Sequence, residues 1–333
     1  MNANDTAHRL HYHPVLHGLA VALTVSVFPL IWVGGLVTTY DAGMAVPDWP
    51  NTYGYNMFAY PASTWLYGPF DLLVEHSHRL LGTIAGLISI GLVVAAWRYE
   101  SRPWFRWWTV GVLLSVIAQG ALGGARVVLD QRTFAMIHGC TGPLFFALAT
   151  ATAVMSSRWW LDRLAALNDG SGTTRRRTAW VATVLVVASY CQLILGAQLR
   201  HVTGAVSHGQ FMGFVHMHLT LAALVTLLAI VLAVMTSTRQ TPRPVSRPAK
   251  LLAAIVLLQI ALGITTWIVN YALPWQEVTE TLASYTILAK GYWESLIITA
   301  HMATGSLIIA LASVVALRAW RSRAVTVENG VNR

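Results

Sequence analysis

Charged side chains are scarce in this chain: they make up 11% of the 333 residues, whereas hydrophobic residues make up 56%. Apolar runs of about 20 residues recur, which is the length that a helix needs to cross a bilayer. The runs are continuous and do not alternate, so helices are expected rather than barrel strands. Eight membrane spans are predicted, at 15–38, 72–97, 104–126, 132–155, 179–199, 211–235, 250–271 and 292–317.

Cysteine is also scarce, since the chain has only Cys140 and Cys191, and both fall inside predicted spans. A disulfide framework is therefore not supported. The two cysteines are interpreted as small apolar residues that fill space between helices.

The few basic residues are distributed unevenly along the chain. With the N-terminus placed inside, the inner segments hold all of the 22 Lys and Arg residues except Arg79, Arg126, Arg132, Arg200 and Lys290. This positive-inside pattern predicts an inner-membrane protein with both termini in the cytoplasm. The net charge of +9 is thus a topology signal. No nucleic-acid partner is expected, because the basic residues are spread over every inner loop.

Four histidines begin copies of one pattern, His-x-x-x-small-x-aliphatic, and each copy lies in an even-numbered span: His78, His138, His218 and His301. A histidine in a bilayer is costly unless it is paired, liganded or facing a cavity. Imidazole is a common ligand of haem iron. Zinc and copper also accept imidazole, but no cysteine or carboxylate cluster accompanies these histidines. Two copies in each half favour two pairs of haem ligands.

A second repeat, Gln-x-x-x-Gly, begins at Gln119, Gln192 and Gln259 in odd-numbered spans, and Gly34-Gly35 takes the corresponding place in the first span. Small residues let membrane helices approach closely. The repeats predict an all-α integral membrane protein of two pseudo-symmetric four-helix bundles. The expected units are an N-terminal bundle over 1–157, a cytoplasmic linker over 158–178, a C-terminal bundle over 179–323 and a cytoplasmic tail over 324–333.

Two of the repeat histidines have a second histidine two positions earlier, namely His76 before His78 and His216 before His218. On a helix such a pair diverges by about 200°, so only one member can face a bundle interior. The repeat selects His78 and His218, and His216 stays open as the alternative to His218.

Glu75 lies three residues before His78 and therefore on the same helix face. The corresponding positions before the other repeat histidines are Ala135, Val215 and Ile298. Glu75 is interpreted as a general acid or base, or as an electrostatic stabiliser, beside a cofactor pocket. The alternative is a structural carboxylate that forms a salt bridge with Arg79. The asymmetry suggests chemistry in the N-terminal half and a held cofactor in the C-terminal half.

Further site candidates lie at the outer ends of the spans. Arg126 and Arg200 follow the glycine repeats, and arginine binds carboxylates such as haem propionates bidentately; simple interfacial anchoring is the alternative. The long outer segment 39–71 contains Asp48 and Trp49 and is predicted to cover the N-terminal site. A second long outer loop is expected at 272–291.

At these residues the chain resembles the heme A synthase family. The resemblance is carried by the motifs Gly34-Gly35, Asp41-Ala-Gly-Met, Asp48-Trp-Pro and Glu75-His-Ser-His-Arg-Leu-Leu-Gly82, with the later histidines as a set. It implies oxidation of the C8 methyl group of heme O to a formyl group, which gives heme A for terminal oxidases. Some members have a cysteine pair in the first outer loop. This chain has none in 39–71, so a redox disulfide there is ruled out.

The resemblance also implies roles for the site residues. His78 and His138 would flank the substrate heme O, His218 and His301 would ligate the iron of haem b, and Glu75 would be the catalytic carboxylate. A heme O synthase and terminal oxidase assembly factors are the partners it implies, and a homo-oligomer stays open.

Two other functions are considered. A di-haem membrane cytochrome b that passes electrons to or from quinone explains four histidines equally well, but it does not explain Glu75. A transporter is expected to have broken helices and polar residues near the midplane, of which the sequence has few apart from Pro143.

Overall fold

The computed structural model describes residues 12–162, 172–201, 206–238, 241–271 and 291–331. Within these ranges the regular structure is helical, and no strand is present. The eight long helices are α1 (Pro14–Thr39), α2 (Phe70–Tyr99), α3 (Pro103–Leu129), α4 (Arg132–Met155), α5 (Gly172–Arg200), α6 (His208–Met235), α7 (Arg243–Tyr271) and α8 (Tyr292–Val331).

All eight helices are long and apolar enough to cross a membrane. The predicted all-α fold and the predicted spans are thus confirmed, and the chain is a multi-pass membrane protein. Most of the outer loop expected at 272–291, and part of the cytoplasmic linker and tail, lie outside the described residues.

Helix boundaries follow local sequence signals. Pro14 and Pro103 occupy the first turns of α1 and α3, where a missing N–H costs nothing. A capping box begins α6, because the Ser207 hydroxyl accepts from the backbone N–H of Gln210 and the Gln210 side chain accepts from the backbone of Ser207. Asp130 ends α3 in the left-handed conformation, with φ of 46°. Each of these helices therefore begins or ends at a residue whose chemistry suits that end.

The helix contacts form two closed circuits, one in each half of the chain. Helix α1 packs on α2, α2 on α3, α3 on α4, and α4 returns to α1; α5 to α8 repeat this order. The circuits meet where α8 packs against α1 and α4, and where α4 contacts α5. This arrangement places four helices around each histidine pair. The unit boundaries at 158 and 178 stay predictions.

Each circuit has its own apolar core. Leu23, Leu92 and Phe105 are fully buried in the first, and Leu185 and Leu232 in the second. These side chains lie towards the end that the positive-inside pattern assigns to the cytoplasm. The core therefore fills the inner part of each circuit, and the repeat histidines lie beyond it, nearer the outer end.

The four histidines lie at similar depth. His138 is 6 residues into α4 and His218 is 10 residues into α6, with His78 and His301 between these limits. At about 1.5 Å per residue the spread is about 6 Å along the helix axes. Similar depth is what two cofactors side by side require.

Candidate functional site

One cavity of about 1430 Å³ is bordered by all four repeat histidines and by residues from all eight long helices. Pockets for single ligands usually measure about 300–1,000 Å³. The cavity therefore has room for more than one cofactor-sized molecule. Its lining is mostly apolar, so a largely hydrophobic ligand suits it.

The two sequence repeats meet in this cavity, because the ring of each repeat histidine lies against a glycine of the preceding helix. A Cβ atom built on that glycine would approach the histidine Cε1 to 2.7 Å for Gly34 and His78, 3.5 Å for Gly123 and His138, 3.2 Å for Gly196 and His218, and 3.0 Å for Gly263 and His301. The glycines thus make room for imidazole rings. This role goes beyond the close helix packing that the glycine repeat predicts.

One nitrogen of each repeat histidine, Nδ1, is buried and has no hydrogen-bond partner in the described part of the chain. A backbone group of the facing helix lies beside each ring but does not meet the geometry of a hydrogen bond to Nδ1. It belongs to the residue four positions before the facing glycine, which is Leu30, Gln119, Gln192 or Gln259. Nδ1 thus faces the neighbouring helix, since it lies nearer than Nε2 to the facing glycine at Gly34, Gly123 and Gly263. A metal-ligating histidine usually has one nitrogen beside such an orienting group and binds the metal through the other. The four rings therefore fit a liganding role through Nε2.

The N-terminal pair, His78 and His138, has ring centroids 6.1 Å apart and ring planes at 89°. Two metal–nitrogen bonds of about 2 Å each, together with the two ring radii, add up to about this separation. Across the described ranges no group of three or more His, Cys, Asp or Glu side chains forms a metal cluster. A pair of imidazoles suits an iron that a porphyrin already ligates.

The C-terminal pair, His218 and His301, borders the same cavity. The His218 Nε2 atom lies 3.1 Å from the amide nitrogen of Gln192, which belongs to the glutamine repeat. His216 has an exposed side chain and also borders the cavity, whereas His218 lies against its glycine. Of the two, His218 has the position that the other three repeat histidines share.

His76 faces away from the cavity. Its Nδ1 lies 3.3 Å from the hydroxyl of Thr52, its ring packs against Tyr60 and Trp65, and the residue is 1% exposed. The histidine repeat does not include His76 and predicts no role for it. Its contacts show that it secures the outer segment to α2, while His78 faces the cavity.

Besides His76, the pair Glu75 and Arg79 connects α2 to the outer segment by hydrogen bonds. Arg79 donates to Glu75 Oε1 at 2.8 Å, and the backbone N–H of Val46 donates to Oε2 at 3.0 Å. Arg79 also donates to the carbonyl oxygens of Val46, Asp48 and Asn51 at 2.7–2.8 Å. The salt bridge considered as the structural alternative is thus present. Glu75 is 3% exposed and also borders the cavity.

Asp48 shapes the turn that carries Trp49. Its carboxylate accepts hydrogen bonds from the backbone N–H groups of Tyr53 and Gly54, both at 2.8 Å. Partial burial by itself raises the pKa of Asp48, but these hydrogen bonds and nearby Arg79 outweigh it, so the pKa lies below its usual range. Gly54 has a φ of 79°, a conformation that favours glycine.

Trp49 lies over the outer end of α3. A Cβ atom on Gly124 would approach the Trp49 Cδ2 atom to 2.5 Å, so only glycine allows this contact. Trp49, Pro50 and Met57 of the outer segment border the cavity. The segment therefore covers the end of the cavity that Glu75 and His78 also line.

Arg126 and Arg200 both border the cavity. Arg126 donates to the carbonyl oxygen of Gly43 at 2.9 Å, and Arg200 donates to the hydroxyl of Thr39 at 2.7 Å. In the part of the chain that the structure describes, neither guanidinium has a carboxylate within 4.0 Å. Arginine has five N–H donors, so both retain donors for an acidic ligand group at the cavity's outer end.

The chain matches the model of a known protein family. The model of the family described as cytochrome oxidase assembly protein matches residues 17–213, which is more than half of the chain. The chain belongs to this family. The matched residues include Glu75, His78 and His138 and end before His218 and His301, so the family match bears mainly on the N-terminal half and α5.

Curated relatives carry a more specific name. The chain is 25% identical over 202 residues to a heme A synthase of Shouchella clausii, and 26% identical over 210 residues to one of Halalkalibacterium halodurans; each match covers 60% of this chain and 64% of the relative. A heme A synthase of Staphylococcus aureus is 26% identical over 187 residues, covering 53% of this chain and 55% of the relative. The matches thus span less than two thirds of these relatives. They agree with the family resemblance seen in the motifs.

Proposed function

We propose that the chain is a heme A synthase, which oxidises the C8 methyl group of heme O to a formyl group and so supplies heme A for terminal oxidases. The observation that carries the proposal is the shared arrangement of four histidines, each against a glycine, around one cavity large enough for two haems. Family membership and the name of the relatives support the same conclusion.

In this proposal the N-terminal pair, His78 and His138, holds the substrate. Converting a methyl to a formyl group removes two hydrogens and adds one oxygen, a four-electron oxidation for which an external electron acceptor and an oxygen donor are required. Positive charge and protons therefore develop beside the porphyrin ring. Glu75 borders the cavity on the helix that carries His78, where a carboxylate can stabilise that charge or accept a proton. Its bonds to Arg79 and Val46 hold the carboxylate in position.

The C-terminal pair, His218 and His301, would hold haem b. A bound haem b would supply one-electron redox chemistry. The chain's own residues bind and orient it: Gly196 and Gly263 make room for the two imidazoles. Arg126 and Arg200, which lack a carboxylate partner among the described residues, are proposed to bind propionates at the outer end.

The cellular setting follows from the same proposal. The positive-inside pattern supports termini in the cytoplasm and a cavity towards the outer face of the inner membrane. A heme O synthase would supply the substrate, and oxidase assembly factors would receive the product.

One observation favours a second function, a di-haem cytochrome b. Both carboxylate oxygens of Glu75 are paired inside the protein, one with Arg79 and one with Val46. In this second function the carboxylate would attach the outer segment to α2 and would take no part in a reaction. The chain would then bind two haems and transfer electrons without changing either.

The experiment that separates the two functions is co-expression with a heme O synthase, followed by haem extraction and chromatography. A heme A synthase yields heme A, whereas an electron-transfer cytochrome yields only the haems supplied to it. The matched comparison is Glu75→Gln with Glu100→Gln. Glu100 follows the C-terminal end of α2, at the opposite end of the helix from Glu75, and forms a buried ion pair with Arg102 at 2.7 Å. If the yield of heme A per haem bound falls equally in both variants, Glu75 has no specific role in the reaction.

A further inference from the structure

Two adjacent glycines of α1 contact the two histidine sites separately. Gly34 lies against the ring of His78. A Cβ atom on Gly35 would instead approach Cε of Met302 to 2.5 Å and Cγ2 of Thr299 to 2.9 Å. Met302 follows His301 directly and Thr299 precedes it by two residues. Gly34 therefore touches His78 of its own half. Its neighbour Gly35 touches residues on either side of His301 in the other half.

Arg200 holds this contact together from a third helix. Its Nη2 donates to the carbonyl oxygen of Gly35 at 3.1 Å and to the Thr39 hydroxyl at 2.7 Å, and its Nη1 lies 3.4 Å from Sδ of Met302. The hydroxyls of Thr39 and Thr299 are 3.1 Å apart. These five residues, Gly35, Thr39, Arg200, Thr299 and Met302, are called the joint. They connect α1, α5 and α8.

The joint is buried at its two threonines and borders the cavity at its other members. Thr39 is 5% exposed and Thr299 is fully buried, whereas Gly35, Arg200 and Met302 line the cavity. Close packing transmits displacements, so a Cβ atom on Gly35 would displace α1 relative to Thr299 and the end of the Met302 side chain. These two residues lie on both sides of His301 in the sequence of α8.

We propose that Gly35 is a positioning residue for the C-terminal haem, through the contacts that Thr39 and Arg200 hold in place, so that α1 of the N-terminal half sets the orientation of His301. The proposal rests on the proposed function in taking His301 as a haem ligand. Contacts around a metal-ligating histidine orient its ring and tune the metal. The C-terminal histidine pair would accordingly be incomplete without the first helix of the other half.

The test uses the adjacent glycines as a matched pair in the full-length, haem-loaded protein. Low-spin haem signals are recorded by electron paramagnetic resonance and assigned by their loss in His78→Ala and His301→Ala. Gly35→Ala should shift the signal assigned to His301 and leave the other unchanged. Gly34→Ala, the same change one residue earlier, should affect the signal assigned to His78.

A second substitution tests whether the effect of Gly35→Ala passes through Met302. Met302→Ala removes the Cε and Sδ atoms that meet the new Cβ, so the Gly35→Ala/Met302→Ala double variant should recover most of the C-terminal signal. Thr39→Val removes the hydroxyl shared by Arg200 and Thr299 at nearly constant volume. It should shift the C-terminal signal in the same direction, and it carries the test if Gly35→Ala does not fold.

Several outcomes overturn the proposal. Normal haem content with an unchanged C-terminal signal in Gly35→Ala, or in Thr39→Val if that variant carries the test, would show that the joint is ordinary helix packing. Failure of Met302→Ala to recover the signal would show that the effect does not pass through Met302. Each of these results leaves the proposed function intact. A wild-type chain that takes up no haem contradicts the proposed function itself, and the positioning role with it.

Discussion

The two halves of the molecule hold their histidines in the same way and surround them differently. In each half, two imidazoles lie against glycines of the preceding helices. In the N-terminal half, the residue three positions before His78 is Glu75, which is tied to Arg79 and the outer segment. In the C-terminal half the corresponding residues, Val215 and Ile298, are buried and apolar.

This comparison separates what is needed to hold a haem from what is needed to change one. The shared arrangement needs only glycine, histidine and an apolar cavity. Among the residues that the structure describes, the carboxylate, its arginine and the covering segment occur on the N-terminal side only. If the proposed function holds, substitutions in the shared arrangement should remove a haem, and substitutions in the one-sided part should leave haem bound and slow its oxidation.

The largest expected effect is loss of one haem from one half. His301→Ala should abolish the C-terminal low-spin signal, and His78→Ala should abolish heme A formation while that signal persists, because the two pairs belong to separate helix circuits. Absorption and paramagnetic resonance spectra of the purified variants measure this. A spectrum that survives His218→Ala and disappears in His216→Ala would transfer the ligand role in α6 to His216.

The next effect concerns the one-sided carboxylate. Glu75→Gln should still fold and bind haem but lower heme A formation by about 10²–10⁴-fold, the usual contribution of a general acid or base. Extracted haem should then contain heme O or a partly oxidised intermediate. Glu100→Gln loses a comparable buried ion pair at the other end of α2 and should keep its yield of heme A per haem bound. A normal yield of heme A from Glu75→Gln would show that Glu75 has a structural role only.

A smaller effect is expected at the covering segment. Gly124→Ala places a methyl group against the Trp49 ring, whereas Gly123→Ala places one near His138. The first change should lower product formation about tenfold with both haem signals retained, since a displaced cover admits water to the site. The second should alter the signal of the N-terminal haem. Trp49→Ala should resemble Gly124→Ala, and full activity in both would show that the segment is only a connection.

The smallest effect is a pH dependence at Asp48. The folded-state pKa of this carboxyl is lowered, mainly by the N–H groups of Gly54 and Tyr53 acting against its partial burial. Its contribution to stability is therefore present above the unfolded pKa, about 3.9, and is lost as the pH falls through the lower folded value. Thermal unfolding of wild type and Asp48→Asn should differ at neutral pH and converge in acid. A constant difference down to low pH would contradict the assignment.

Local sequence patterns determined the membrane-spanning helices and the candidate histidines of this protein. Continuous apolar runs predicted the eight helices because spanning a bilayer requires about 20 apolar residues, and the all-helical fold is confirmed. The repeats also selected four histidines that border the cavity and that each lie against a glycine of the preceding helix. The family resemblance at the Glu75-to-Gly82 motif agrees with the family match.

Only the tertiary structure decided how these residues meet. Hydropathy sets where a helix crosses the membrane, but its rotation is set by packing against neighbours. For that reason the sequence did not show that Gly34 faces His78 while Gly35 faces Met302. It also did not show that Arg200, 165 residues from Gly35, connects the two halves. Contacts between residues so far apart depend on the relative placement of whole helices, which no local pattern encodes.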